Sequence, residues 1–250
     1  MKMIPISRPT LIRHEIREGT PCLPDAFGIL SWNVNKRSGI REYRERFRLL
    51  RRQWDLHLLM LQEARIRRGA PFLLEGFHYS ASPNLYAPSS IRYGVLTAST
   101  VGSLRSVARL SEGRELGCTS RKPYLLDLIP LCRGTTLLCL NLHAINFRGT
   151  AQYARELRRI DTLLDSHRGP MIVAGDFNSW NPSRLRKLDS FRRRHALEAV
   201  PFDPEAVKSF AGHPLDFILY RGLHLREFDV DACPGYSDHP PLLARFGLPT

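Results

Sequence analysis

The feature that most restricts the fold is a plan that occurs twice. FGILSW (Phe27 to Trp32) is a short apolar run suited to a buried strand, and it leads into Asn33 and Asn35. GIREYRERFRLLRRQ follows, with Ile40, Tyr43, Phe47 and Leu50 at spacings of three and four, the pattern of an amphipathic helix. DLHLLML (Asp55 to Leu61) returns to a strand and ends in Gln62 and Glu63. Later, TTLLCLNL (Thr135 to Leu142) ends at His143 and Asn146, AQYARELRRIDTLLDS supplies a helix, and PMIVAG leads to Asp176 and Asn178. One acid after a strand is common. Two helix-linked strand pairs that both end in Asn, Glu, Asp or His are not, and in α/β architectures the residues that meet a ligand sit at strand ends.

Further strands are predicted at YGVLTAS (Tyr93 to Ser99), PYLLDLIPL (Pro123 to Leu131) and LDFILY (Leu215 to Tyr220), the last with Asp216 near its beginning. GYSDHPPLLARF then places Asp238 and His239 in a turn ahead of a short strand. Residues 1–26 hold several prolines and no sustained period and read as an arm or edge segment; residues 27–250 read as one domain. The expected class is α/β with an internal pseudo-repeat.

Charge bounds the partners. Lys and Arg number 37 against 24 Asp and Glu, a formal net charge of +13, and such a field concentrates polyanions, nucleic acid or anionic headgroups. No segment approaches the roughly 20 apolar residues needed to cross a bilayer. The N-terminal apolar positions are interrupted by Pro5, Arg8, Pro9 and Arg13, so no signal-peptide core is visible and a cytoplasmic setting is expected. Cys22, Cys118, Cys132, Cys139 and Cys233 show no CxxC spacing, so reduced, mostly buried thiols are expected rather than zinc or a disulfide framework.

Five polar exits rich in Asp, Glu, Asn and His suit a hard divalent cation with oxygen ligands, Mg²⁺ or Mn²⁺. Glu63 with Asn33, Asn35 or Asp238 suffices for such an ion, and its partner is a phosphate. Phosphodiester cleavage needs an activated water, charge neutralisation on the phosphoryl oxygens and a stabilised leaving oxygen. Asp176 can serve as base, Asn178 can donate to the nucleophile or a phosphoryl oxygen, and His239 can bind phosphate while Asp216 fixes its ring. A Ser237/Asp238/His239 triad is excluded: the three are neighbours in one loop, and no GxSxG elbow precedes them.

SWNVN (Ser31 to Asn35), LQE (Leu61 to Glu63), NLH (Asn141 to His143), GDFN (Gly175 to Asn178), LDF (Leu215 to Phe217) and SDH (Ser237 to His239) resemble, in order and approximate spacing, the endonuclease/exonuclease/phosphatase superfamily. The resemblance covers roughly Phe27 to Phe246. It implies a four-layer αββα sandwich, two packed mixed β-sheets flanked by helices, with the site at one end of the sheets. It also implies Glu63 as principal metal ligand with Asn33, Asn35 and Asp238 in support. Asp176 then orients water, Asn178 meets the phosphate, and His239 and Asp216 form a pair. His143 is similar to the nuclease and sphingomyelinase branches and unlike the Tyr of the abasic-site branch, and GHPLDF lacks that branch's aromatic residue. NLHAINF (Asn141 to Phe147) is similar to a poorly characterised bacterial subgroup.

The resulting expectation is a Mg²⁺- or Mn²⁺-dependent phosphodiesterase cutting nucleic acid, DNA above all, with Asp176, Asn178, His239, His143 and Asp216 as catalytic residues. The alternative is a phosphomonoesterase or sphingomyelinase-like hydrolase, for which NLYAP (Asn84 to Pro88) offers only a weak membrane-docking loop. The Arg-rich helices read largely as solvated faces. Arg65, Arg67 and Arg68, with Asn146 and Arg148, are the expected substrate contacts. RLRKLDSFRRRH (Arg184 to His195) either extends that basic rim or is an exposed helix. No protein partner is implied.

Overall fold

The computed structural model describes residues 3–17, 19–38, 41–87, 90–115, 120–146, 148–232 and 235–249. Ile40, Pro88, Cys118, Phe147 and Cys233 lie outside them. The chain builds one sheet, then another, then returns to the first. Strands β1 (Ile4–Pro5), β2 (Ile12–His14) and β3 (Ala26–Asn33), helix α1 (Arg41–Trp54), and strands β4 (Leu56–Arg67), β5 (His78–Tyr86) and β6 (Ile91–Ser99) come first. The second sheet takes β7 (Arg105–Arg114), β8 (Arg121–Pro130) and β9 (Thr136–His143). After α2 (Thr150–Leu164) come β10 (Met171–Asp176), α3 (Pro182–Arg194), β11 (Glu198–Ala199), the small hairpin β12 (Ser209–Phe210) and β13 (His213–Pro214), and β14 (Asp216–Arg221). Finally β15 (His224–Val230) and β16 (Leu242–Gly247) rejoin the first sheet beside β3. The orders are β1-β5-β6-β4-β3-β16-β15, with β2 also on β5, and β11-β14-β10-β9-β8-β7.

Both halves of the repeated plan are parallel pairs, β3 with β4 and β9 with β10. Their strands are apolar on both faces because both faces are covered. In β9, Leu137 and Cys139 enter the core between the sheets, whereas Leu138, Leu140 and Leu142 pack against α2 and α3. In β10, Ile172 and Ala174 face inward, Met171 and Val173 outward. On the other flank Tyr43, Phe47 and Leu50 of α1 cover Leu30, Trp32, Leu59 and Leu61. Three stacked apolar layers therefore separate helix, sheet, sheet and helices, the four-layer sandwich.

Gln62 and Asn141 join the two sheets near their polar ends. Gln62 Nε2 donates to Asn141 Oδ1 at 2.8 Å, and Asn141 Nδ2 donates to the carbonyls of Leu61 and Leu96 at 3.2 and 2.9 Å. Both side chains are fully buried, so these bonds tie the sheets in register just below their polar ends. Gly175 sits at φ +139°, and a Cβ there would lie 2.0 Å from the Leu142 carbonyl, so a side chain would push β10 off β9 where the site is built.

Three expectations are corrected. β4 does not end at Leu61 but runs to Arg67 through a bulge. NLYAP is no docking loop: Asn84 to Tyr86 belong to β5, and Asn84 is buried with its amide on the Arg121 carbonyl. Cys22 and Cys132 form a disulfide, with Cα atoms 4.9 Å apart across a sequence separation of 110. The chain on either side explains the meeting: Leu23 N donates to Pro130 O and Cys132 N to Leu23 O, at 2.9 and 3.0 Å. No local spacing announces a pair so remote in sequence. Cys139 is a buried free thiol, as expected.

Candidate active site

Strand parity decides what reaches the site. Asn33, His143, Asp176 and Asp216 continue the inward rows of Ile29, Cys139, Ala174 and Ile218, so all four converge at one end of the interlayer. Glu63 joins them through the bulge. Leu59 and Leu61 face α1, and so do Ala64 and Ile66. Two residues, Gln62 and Glu63, therefore occupy the inner side where a regular strand would place one. Glu63 bears the cost as a positive φ of 53°.

Asp176 is 4% exposed. Its Oδ2 accepts from Asn33 Nδ2 at 3.3 Å and its Oδ1 from the Asn178 backbone at 3.0 Å. Asn178, at φ +49°, also donates through Nδ2 to the Ala144 carbonyl at 3.1 Å. His239 Nδ1 lies 2.6 Å from Asp216 Oδ2, and its backbone is locked by Trp32 Nε1 on its carbonyl at 2.7 Å. Ser237 Oγ donates to Asn33 O and accepts from His239 N, at 2.6 and 3.2 Å. These bonds fasten the SDH turn to the end of β3.

Burial, and then the charge of Asp216, push the Asp176 carboxyl well above the usual carboxylate range; His239 and Lys122 only partly oppose this. Burial lowers His239, but the Asp216 charge and hydrogen bond, aided by Asp176 and Asp238, carry it to about 9. His143 moves the other way, well below its ordinary value, through burial and then the neighbouring Lys122, His239 and Lys36. At neutral pH the site thus holds an imidazolium, a neutral imidazole and a desolvated carboxyl that accepts a proton readily.

Ligand atoms of Asp176, Asp216 and His239 lie within 4.8 Å of one another, close enough for one cation. Asp216 Oδ1 is buried without a partner among the described residues, although the proton on His239 already neutralises part of that group. The better fit is at Glu63. Its Oε2 lies 2.6 Å from Lys36 Nζ, so a cation already rests on a carboxylate that is only 20% exposed, and nearby oxygens of Asn33, Asn35 and Asp238 are hard donors. Asn35 Nδ2 donates to Asp238 Oδ1 at 3.3 Å, while Lys208 holds Asp238 Oδ2 at 3.0 Å.

The expected substrate contacts fall further out. Arg65 and Arg67 are exposed on β4 and Arg68 in the turn beyond. The Asn146 backbone donates to Glu115 Oε1 at 3.3 Å, and half-buried Arg148 uses Nε on the Arg114 carbonyl. Arg184 is not part of a basic rim. It is fully buried between Tyr153 and Trp180, each ring centroid 4.7 Å from its guanidinium, and it donates to the carbonyls of Ile145, Asn178 and Arg148. It clamps the GDFN turn to the segment after His143.

Sequence reasoning missed Lys36, Lys122 and Lys208. A signal was present: only five of the 37 basic residues are lysine, and three of those five touch site side chains.

A sandwich with this acid, imidazole and amide arrangement at one end is the architecture of metal-dependent hydrolases of phosphoesters. The chain belongs to the Endonuclease/Exonuclease/phosphatase family, whose pattern matches residues 30–239. A UPF0294 protein of Erwinia tasmaniensis is 32% identical over 260 residues, covering 97% of this chain and 90% of its own length. That group is poorly characterised, as the resemblance of the NLHAINF segment implied. Among solved structures, the human nocturnin catalytic domain with bound sulfate superposes with a TM-score of 0.65 at 15% identity, covering 96% of this chain and 98% of that one. D. rerio TDP2 with single-strand DNA product gives 0.64 at 13%, covering 89% and 99%. At such identities these two establish the fold. No helix among the described residues is long and apolar enough to cross a membrane.

Proposed function

We propose that this protein is a Mg²⁺- or Mn²⁺-dependent phosphodiesterase that hydrolyses nucleic acid, DNA in the first instance, by direct attack of water. The observation that carries the reading is a buried Asp176 set beside the Asp216–His239 pair, each held by partners that fix its orientation. Asp176 takes a proton from water as that water attacks phosphorus and the P–O bond to the leaving oxygen breaks, the departing oxygen taking its proton from solvent. Asn33 and Asn178 hold the carboxylate still, and the second Asn178 amide N–H serves a phosphoryl oxygen. His239 places Nε2–H against the same phosphoryl group, where Asp216 keeps the ring charged. Glu63 and Asn33, with Asn35 and Asp238, would hold the metal, which when bound neutralises charge on the phosphoryl oxygens.

Nucleic acid is favoured by the +13 charge and by the exposed arginines that follow Glu63. TDP2 shows that a protein of this fold can carry a DNA strand. No observation favours a lipid headgroup. The test is cleavage of circular plasmid, linear duplex and single-stranded DNA with Mg²⁺, Mn²⁺ or EDTA, beside Asp176→Asn. Metal-dependent cutting absent from the variant supports the reading. A folded protein that cuts none of these substrates overturns it.

A further inference from the structure

Lys122 has no part in the chemistry above, yet it stands in the same cluster. It is the second residue of β8, two residues before Tyr124, which pairs with Leu142, the residue before His143 in β9. Its side chain is only 11% exposed and its Nζ lies 2.7 Å from His143 Nε2. That same Nε2 lies 3.4 Å from Asp176 Oδ2, so one imidazole separates the ammonium from the proposed base. Glu115 Oε1, 3.3 Å away, holds Lys122 from the other side, and the backbone N of Lys122 is fixed by Ser111 Oγ at 2.9 Å.

The hydrogen-bond inventory assigns the protons. An ammonium only donates, so Nε2 of His143 must be the accepting nitrogen and the ring proton sits on Nδ1. In that tautomer Nε2 has no hydrogen for Asp176 or for a departing oxygen. A residue expected to be catalytic becomes a holder of the cation beside it. Of the three ammonium hydrogens, one goes to His143 and one to Glu115, and among the described residues the third has no partner and is open to a ligand that enters the site.

We infer that Lys122 is a phosphate-binding residue of this site, with its ammonium on a phosphoryl oxygen, and that His143 is its positioning residue rather than a proton donor. The inference rests on reading the site as a phosphoester hydrolase, and it holds for any phosphoester. With His239 it gives the phosphoryl group a cation on each side of Asp176. Lysine suits the place: a compact charge on a flexible stem fits beside a buried imidazole with less room than a guanidinium fork takes.

Two measurements test this without substrate turnover. Inorganic phosphate is titrated calorimetrically into the full chain as wild type, Lys122→Met and Lys122→Arg, with thermal melts confirming the fold. Lys122→Met should weaken phosphate at least about tenfold, the loss of one charge-assisted contact, and Lys122→Arg should recover part of it. Nitrogen-15 spectra of the wild-type histidines should show His143 protonated on Nδ1 with Nε2 bare, a readout that needs no variant to fold. Unchanged phosphate affinity in Lys122→Met, no phosphate binding by the wild type, or a proton on Nε2 overturns the inference. If the wild type cuts no DNA while phosphate binding still depends on Lys122, the nucleic-acid reading fails and this one stands.

Discussion

The two halves of the repeated plan end in carboxylates of opposite character. In the first, β3–α1–β4, the acid is Glu63, a fifth exposed, delivered by a bulge in a strand that continues to Arg67, and resting on Lys36. In the second, β9–α2–β10, the acid is Asp176, almost fully buried at the last position of its strand, held by two asparagines and facing the Asp216/His239 pair. The same local architecture thus yields an accessible anion suited to a metal and a desolvated one suited to taking a proton. What separates them is a single inserted residue in one strand and the company each acid keeps, not the strand-helix-strand unit.

If that division holds, the halves fail differently. Asp176→Asn should remove the base and cut turnover by about 10²–10⁴-fold with the melting temperature preserved; near-normal turnover would end the distinction. Glu63→Gln should instead leave kcat at saturating metal closer to wild type while raising the Mg²⁺ or Mn²⁺ requirement by on the order of a hundredfold, measured by metal titration. The Asp216–His239 pair that Asp176 faces should carry the pH response. His239 is raised, so its imidazolium and the stability it lends the fold are complete below its ordinary value and are lost as pH rises through about 9. Proton NMR of the metal-free protein should find one histidine still charged at pH 8, and Asp216→Asn should abolish that. The smallest effect belongs to the first half: Lys36→Ala should tighten metal binding only a few-fold, in keeping with the ~0.2–1 kcal/mol of a partly exposed pair. A loosening would show that Lys36 supports the site rather than competes for it.

Much of this was legible in the chain. The double-sided burial of β3, β9 and β10 is written as unbroken apolar runs, and the inward parity of Asn33, His143, Asp176 and Asp216 follows from counting by twos along them. The bulge was not, because the strand read as ending at Gln62 and Glu63, and nothing in LQEARIR marks the extra residue. Arg184 looked like surface charge, since its buried position depends on Tyr153, Trp180 and three carbonyls that only the folded chain assembles. The lysines were hidden by being counted with the arginines. Their rarity becomes informative only once Glu63, His143 and Asp238 are seen to sit beside them.

The Cys22–Cys132 bond lies at the foot of β3 and β9, far along both strands from their catalytic ends. It closes a long loop, worth about 2–5 kcal/mol against unfolding in proteins that depend on such a link. Bonds of this kind persist where glutathione and thioredoxin do not reach. The staple therefore belongs to the scaffold rather than to the site: reducing it would leave Asp176, Asp216 and His239 chemically untouched and remove the link beneath them.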